Sequence, residues 1–330
     1  MKLCRLGTIG PEVSAIGLGC MGMSDFYGPA DEDESVATIR AALDAGITLL
    51  DTGDFYGAGH NELLIGKALK SRNRDQVVLS VKFGALRSPD GSFLGYDGRP
   101  AAVKNFLAYS LRRLGTDHID IYRPARVDPD VPIEETVGAI ADLIQAGYVR
   151  WLGLSEASSS TVRRAHAVHP VVDLQIEYSL MSRSVETEIL PTLRQLGIGL
   201  TAYGVLSRGL ISSGALKGHS QSGFRSHFPR FQGQNLKQNL ALVEGLAAFA
   251  ESKAVSVAQL AIAWVLSKGR DIVPLVGARK RDKLQEALGA LDLVLTAEDI
   301  SKTEALIPQA AVAGERYMPE QMEMLDSERF

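Results

Sequence analysis

The stretch Val149-Arg-Trp-Leu-Gly-Leu-Ser-Glu-Ala-Ser-Ser-Ser-Thr-Val-Arg-Arg-Ala-His-Ala-Val-His-Pro-Val-Val-Asp-Leu-Gln-Ile176 decides the fold. Val149 to Leu154 is an apolar run of strand length, Ser159 to Val168 carries a helical pattern, and Val172 to Ile176 is apolar again. Strand, helix and strand in so short a segment form the repeating unit of a parallel sheet.

The same alternation extends outward in both directions. Further strand-like runs lie at Ala15 to Gly19, Ile47 to Asp51, Val77 to Lys82, Ile119 to Tyr122, Ile198 to Ala202 and Ile272 to Leu275, eight in all with the two just quoted. Helical patterns separate them, as at Glu34 to Ala45, Asn61 to Leu69, Ala101 to Leu114 and Ile133 to Ala146, and Gly46, Gly115 and Gly147 supply helix ends. Eight strands each followed by helix predict a closed (β/α)8 TIM barrel rather than a doubly wound sheet. The flanks add a small hairpin, Leu3 to Leu6 with Val13 to Ala15, closing the barrel floor, and extra C-terminal helices. No Pro-, Gly- or Ser-rich linker divides the chain, so residues 1–330 are read as a single domain.

At 330 residues and 45% hydrophobic, the chain can bury a large core. A net charge of -4 gives no footprint for nucleic acid or an anionic membrane. No apolar run reaches the roughly 20 residues that span a bilayer, and the N-terminus lacks a signal-peptide core. Cys4 and Cys20 are too few for a disulfide framework, which points to a reduced, cytoplasmic setting. No His, Cys and carboxylate cluster has metal-ligand spacing, so metal catalysis is not expected.

In such a barrel the active site gathers at the C-terminal ends of the strands. Asp51, Lys82, Ser155, Gln175 and Tyr203 all fall there. This set suits carbonyl reduction by hydride transfer, because negative charge grows on the carbonyl oxygen and needs a positioned acid. Tyr56 is the candidate acid. A free phenol ionises near pH 10, so an ammonium at Lys82, held by Asp51, is expected to favour its ionisation.

These residues, in Asp51-Thr-Gly-Asp-Phe-Tyr-Gly57 and Ser80-Val-Lys-Phe-Gly84, together with Gly17-Leu-Gly-Cys-Met-Gly-Met-Ser24 and Phe224-Arg-Ser-His-Phe-Pro-Arg-Phe231, carry a family resemblance. Over nearly its whole length the chain resembles the aldo-keto reductases, in particular the bacterial and plant branch of pyridoxal reductase-like and perakine reductase-like enzymes. The resemblance implies that Asp51, Tyr56 and Lys82 are three members of a catalytic tetrad. In Asp120-Ile-Tyr-Arg-Pro-Ala-Arg-Val-Asp-Pro129 the fourth member, a histidine, is replaced by Ala125. Loss of one oxyanion donor costs on the order of 100- to 1,000-fold in rate, so activity is expected to be weakened or shifted in substrate. Arg123 and Arg126 flank the gap as alternative donors. None of the six histidines is an evident replacement, although His219 and His227 lie in a long loop on the correct face.

The same resemblance implies NADP (NADPH) as cofactor. Ser155 and Gln175 match its carboxamide contacts, with Glu156 replacing the usual asparagine, and Tyr203 matches the ring that stacks on nicotinamide. The loop Gly204, Val205, Leu206, Ser207, Gly209 and Leu210 matches the pyrophosphate turn. Gly277, Arg279, Lys283 and Glu286 match the adenosine-phosphate segment, where the cations favour NADP over NAD, while Ala287 stands where an adenine-binding asparagine is common. The substrate pocket is sketched from Met21, Met23, Phe26, Phe55, Phe83, Tyr122, Ala125, Arg126 and Phe224, and the loop Ser207 to Leu236 is a candidate lid. A small-molecule aldehyde or ketone is the implied partner, and the sequence assigns no oligomeric state. An NADP-binding redox sensor with little turnover is the alternative, and a purely structural role is the weakest. The tail from Glu315 to Phe330 either folds over the barrel or hangs free, and its Met-rich run, Met318 to Met324, is expected to be disordered rather than to serve a protein contact.

Overall fold

Eight parallel strands close on themselves in this computed structural model, which describes residues 1–24, 27–218 and 223–329, with the side chains of residues 223 and 224 excepted. A hairpin of β1 (Leu3–Arg5) and β2 (Glu12–Ser14) precedes the barrel. The barrel strands follow as β3 (Gly17–Gly19), β4 (Leu49–Gly53) and β5 (Val78–Phe83). An excursion, β6 (Ala85–Arg87) paired with β7 (Phe93–Tyr96), interrupts them. The barrel resumes with β8 (Ile119–Pro124), β9 (Val149–Ser155), β10 (Val171–Glu177), β11 (Gly199–Tyr203) and β12 (Ile272–Gly277), and β12 pairs with β3 to shut it. All eight strands read from the sequence are present. The β6–β7 hairpin was not among them.

Alternation along each strand divides the residues between two cores. Outward side chains such as Leu50, Leu79, Tyr122, Leu152 and Leu174 pack under the surrounding helices in one large cluster. Inward ones at the lower end, Leu49, Ile121, Val273 and Leu275, meet Leu6 and Val13 of the hairpin region. The hairpin therefore plugs the barrel floor, as expected. Gly7 makes its turn possible: its φ of 63° is left-handed, and a Cβ there would lie 2.5 Å from the Gly197 carbonyl oxygen.

Helices cover the outside, and extra ones follow β12, including Arg281–Leu288, Ala297–Leu306 and Pro319–Glu323. Among the described residues no single helix is long and apolar enough to cross a membrane. Of the two states left open for the tail, the structure shows it folded over the barrel, with Arg316, Leu325 and Ser327 buried at the C-terminal mouth, and the Met-rich run expected to be disordered contains the helix Pro319–Glu323.

Candidate active site

Above the apolar floor the inward positions turn polar. On β5 they are Ser80 and Lys82, on β9 Gly153 and Ser155, on β10 Asp173 and Gln175, and on β11 Thr201 and Tyr203, each pair two residues apart as one face of a strand requires. Asp51 faces them from β4. Its Oδ1 is 2.5 Å from Lys82 Nζ, and its Oδ2 accepts from Ser80 Oγ at 2.8 Å and from Gln175 Nε2 at 2.7 Å. The turn after β4 brings Tyr56 over this pair, with Lys82 Nζ 5.2 Å from its ring centroid and Phe55 edge-on at 4.7 Å. The structure thus brings Asp51, Tyr56 and Lys82 together.

One electrostatic expectation is corrected. Burial, and next the Asp51 carboxylate, push the Tyr56 phenol well above its ordinary value, with Arg126 pulling the other way. Lys82 does not reverse this because its charge is matched at close range by Asp51, and burial itself lowers the ammonium against that attraction. Burial and Asp51 thus favour the neutral phenol, the form of a proton donor.

Ala125 is buried, its N–H donating to the Phe83 carbonyl at 2.7 Å. Of the two flanking arginines only Arg126 is at the mouth. It donates to the Ala125 carbonyl at 2.6 Å and to the Tyr317 hydroxyl at 3.2 Å. Arg123 is instead fully buried inside the barrel, beneath Asp51 and Lys82, and ion-paired with Asp173. His227 is exposed on its loop, and His219 lies outside the described residues.

The cofactor candidates divide. Ser155 Oγ is buried at the end of β9 with no hydrogen-bond partner in the protein. Gln175 has its amide nitrogen engaged by Asp51. The loop after β11 holds Gly204, Ser207, Arg208 and Gly209 at left-handed φ of 66°, 47°, 56° and 90°, while Val205 and Leu210 are buried and Leu206 packs on the core. Gly277 is exposed at the end of β12. Arg279 donates to the Tyr27 carbonyl at 2.9 Å, and Lys283 pairs with Glu286 at 2.9 Å on the helix Arg281–Leu288. The first N–H of that helix already meets a carboxylate, Glu34 at 3.0 Å.

Glu156 does not behave as the resemblance implies. It is fully buried at a φ of 51°, and both its oxygens are engaged within the protein. Oε1 accepts from Tyr203 at 2.6 Å, from Arg316 Nη1 at 2.8 Å and from the Glu177 N–H at 3.0 Å; Oε2 accepts from Arg316 Nη2 at 2.6 Å and from Ser327 at 2.5 Å. Its role here is to fasten the tail.

Among the pocket candidates, Met21 and Phe55 are half-buried near the mouth. Three others belong to the core. Phe83 and Tyr122 stack at 4.3 Å, and the Tyr122 hydroxyl donates to the Val103 carbonyl of the covering helix Pro100–Leu114, so both face outward; Met23 packs in the same cluster. Phe26 and the side chain of Phe224 lie outside the described residues. The loop beyond Ser207 is tied to the mouth by Arg225, which donates to the Arg208 carbonyl at 2.6 Å and covers the Tyr27 ring at 4.6 Å.

Four mouth residues were not singled out from the sequence: Tyr27, Arg208, Arg316 and Tyr317. The Arg208 guanidinium lies 4.2 Å from the Tyr317 ring and 4.4 Å from that of Phe228, and the Tyr317 hydroxyl is 2.9 Å from that of Tyr203.

The chain is similar to known proteins over most of its length. A model of the aldo/keto reductase family matches residues 15–308. Over 316 residues, 95% of this chain and 91% of the relative, the sequence is 42% identical to a probable aldo-keto reductase 1 from Glycine max. A solved glycerol dehydrogenase from Gluconobacter oxydans has a TM-score of 0.83 at 28% identity, with 96% of this chain and 98% of that one covered. The holo form of an aldo-keto reductase from Bacillus halodurans scores 0.78 at 28% identity, covering 94% and 97%. With its closed barrel and its match along most of its length, the chain belongs to the aldo/keto reductase family, oxidoreductases of carbonyl reduction.

Proposed function

We propose that this chain reduces an aldehyde or ketone to the alcohol with NADPH, and that Tyr56 is the proton donor. The observation that carries this reading is the buried Tyr56 set over the Asp51–Lys82 ion pair at the barrel mouth, with Lys82 Nζ 5.2 Å from its ring centroid. The nicotinamide supplies the hydride when bound. Tyr56 then meets the charge growing on the carbonyl oxygen and gives it a proton. The phenolate left behind is stabilised by Arg126 and by the part of the Lys82 charge, 5.2 Å from the ring, that Asp51 leaves unmatched, while Asp51 keeps the ammonium in place.

Ser155, with its unpartnered hydroxyl, is the residue best suited to the nicotinamide carboxamide, since Glu156 is committed to Arg316. Arg279 and Lys283 support NADP over NAD, and Glu34 at the same helix start makes the comparison of the two cofactors informative. Ala125 supplies no donor. Arg126, close enough to bear on both Tyr56 and Lys82, is the candidate to meet the oxyanion in its stead. Unpaired Cys4 and Cys20 suit a cytoplasmic setting.

The test is NADPH consumption with a panel of aromatic and aliphatic aldehydes. Tyr56→Phe is expected to lower turnover by about 100- to 10,000-fold, and Ala125→His to raise it. Wild-type turnover in Tyr56→Phe would remove Tyr56 from the role. NADPH binding without turnover in any variant would replace the reductase with a cofactor-sensing protein.

A further inference from the structure

Below the catalytic layer lies a set of polar side chains that the reaction, as described, does not use. Arg123 on β8 and Asp173 on β10 are both entirely buried, with Nη2 2.8 Å from Oδ1 and Nη1 donating to Oδ2 at 3.2 Å. Nη1 also reaches the Leu154 carbonyl at 3.3 Å and the Thr201 hydroxyl at 3.4 Å, and Thr201 donates to Asp173 Oδ2 at 2.6 Å. Gly153 on β9 makes room for the pair, because a Cβ there would lie 2.9 Å from Asp173 Oδ1 and 3.1 Å from Arg123 Cζ.

This pair is a poor stabiliser. Arg123 Nε has no hydrogen-bond partner, and Asp173 Oδ1 has only the ion-pair contact, too badly aligned to be a hydrogen bond. Buried ion pairs with unmet polar atoms are commonly matched or bettered by apolar residues of similar volume. Its connection upward offers another reason for it. Arg123 Nη2 donates to Ser80 Oγ at 3.1 Å, and Ser80 Oγ donates to Asp51 Oδ2 at 2.8 Å. A guanidinium can only donate, so the serine oxygen accepts from it and the one hydroxyl proton is directed at Asp51.

We propose that Arg123 is a positioning residue for the reaction: acting through Ser80, it holds the Asp51 carboxylate turned so that Oδ1 meets Lys82, and it balances the charge of Asp51 from beneath. The inference rests on the proposed role of Tyr56 and Lys82. The charged and titratable groups around Asp51 are Lys82 from β5, Arg123 from β8, Asp173 from β10, Tyr56 above and the Cys20 thiol beside β3, with Arg126 acting on Lys82 and Tyr56 from the mouth. Burial lowers the Lys82 ammonium, Asp51 opposes this, and Arg123 adds to the lowering. Cutting the Ser80 bridge leaves more of the Asp51 charge uncompensated, so the ammonium holds its proton more tightly.

Two variants separate this from a purely structural role. Ser80→Ala removes the bridge and leaves the ion pair in place, whereas Arg123→Met combined with Asp173→Ala removes the pair without stranding a charge. Ionisation of Lys82 is followed by NMR in protein labelled with 13C at lysine Cε and assigned with Lys82→Met, a readout that needs no turnover. The pH–rate profile of NADPH-dependent reduction is measured beside it. In both variants the Lys82 transition is expected to move upward by about 0.5 pH unit or more, and the limb of the rate profile to move with it. An unchanged Lys82 transition in both, whatever happens to thermal stability, overturns the proposal. Absence of reduction in the unmodified protein counts against the reductase reading alone, since the Lys82 transition still judges Arg123.

Discussion

The ion pair inside the barrel and the ion pair at its rim are both buried, yet they are bonded to different degrees. At the rim, Glu156 accepts from Arg316, Tyr203, Ser327 and the backbone of Glu177, leaving neither oxygen idle. Inside, Arg123 Nε and Asp173 Oδ1 go without a hydrogen bond. The difference follows from what else holds each partner. Arg123 and Asp173 stand on strands fixed by the ladders of a closed sheet. Arg316 lies 160 residues from Glu156 on a segment that no ladder holds, so side chains do most of the fastening, beside one backbone bond from the Ser327 N–H to the Glu156 carbonyl at 3.1 Å. They also keep Glu156 in a left-handed backbone conformation, which costs a non-glycine residue about 1–3 kcal/mol.

The largest effect that can break this comparison is expected from Arg123→Met alone. It strands the Asp173 carboxylate in the interior and should lower global stability by about 3–5 kcal/mol in urea denaturation, with most of the loss recovered when Asp173→Ala is added. A single variant as stable as the parent would mean that Asp173 is neutral and the inner pair is no pair at all. Gly153→Ala should have a smaller effect, about 1–3 kcal/mol, because its methyl group overpacks Asp173 and Arg123; no change in the denaturation midpoint would show that the inner pair has slack.

The smallest global effect is expected at the rim. Burial would raise the Glu156 carboxyl, but Arg316 holds it well below the ordinary range. Its contribution is therefore full above the unfolded value of about 4.3 and declines as pH falls below it. Hydrogen exchange of residues 313–329 should accordingly show protection at pH 7 that weakens on acidification, and Arg316→Met should lose that protection at pH 7 with little change in global unfolding. A segment equally protected in the variant would shift the fastening to Ser327 and Tyr317.

Much of this was legible in the chain. Eight apolar runs gave the eight strands, and the strand ends gave Asp51, Lys82, Ser155 and Gln175 their places. Period two along β8 also held a signal that went unread: if Ile121 points inward then so does Arg123, and Tyr122 between them must face the helices. The turn residues Pro89-Asp90-Gly91 likewise mark the β6–β7 hairpin locally. The tail was different in kind. Nothing near Arg316 and Tyr317 indicates an acid 160 residues earlier, because a pairing across the fold leaves no local period or turn chemistry to read.

Along the path Asp173, Arg123, Asp51 and Lys82 the formal charges alternate in sign and sum to zero. With no net charge, the set has a potential that decays faster with distance than that of a lone ion. A molecule diffusing toward the barrel therefore feels little of this column before it reaches the entrance. Within a few ångströms of Lys82, where the Tyr56 ring lies, the column is felt in full. Recognition and reactivity can therefore be altered separately in this barrel, the first from its entrance and the second from its depths.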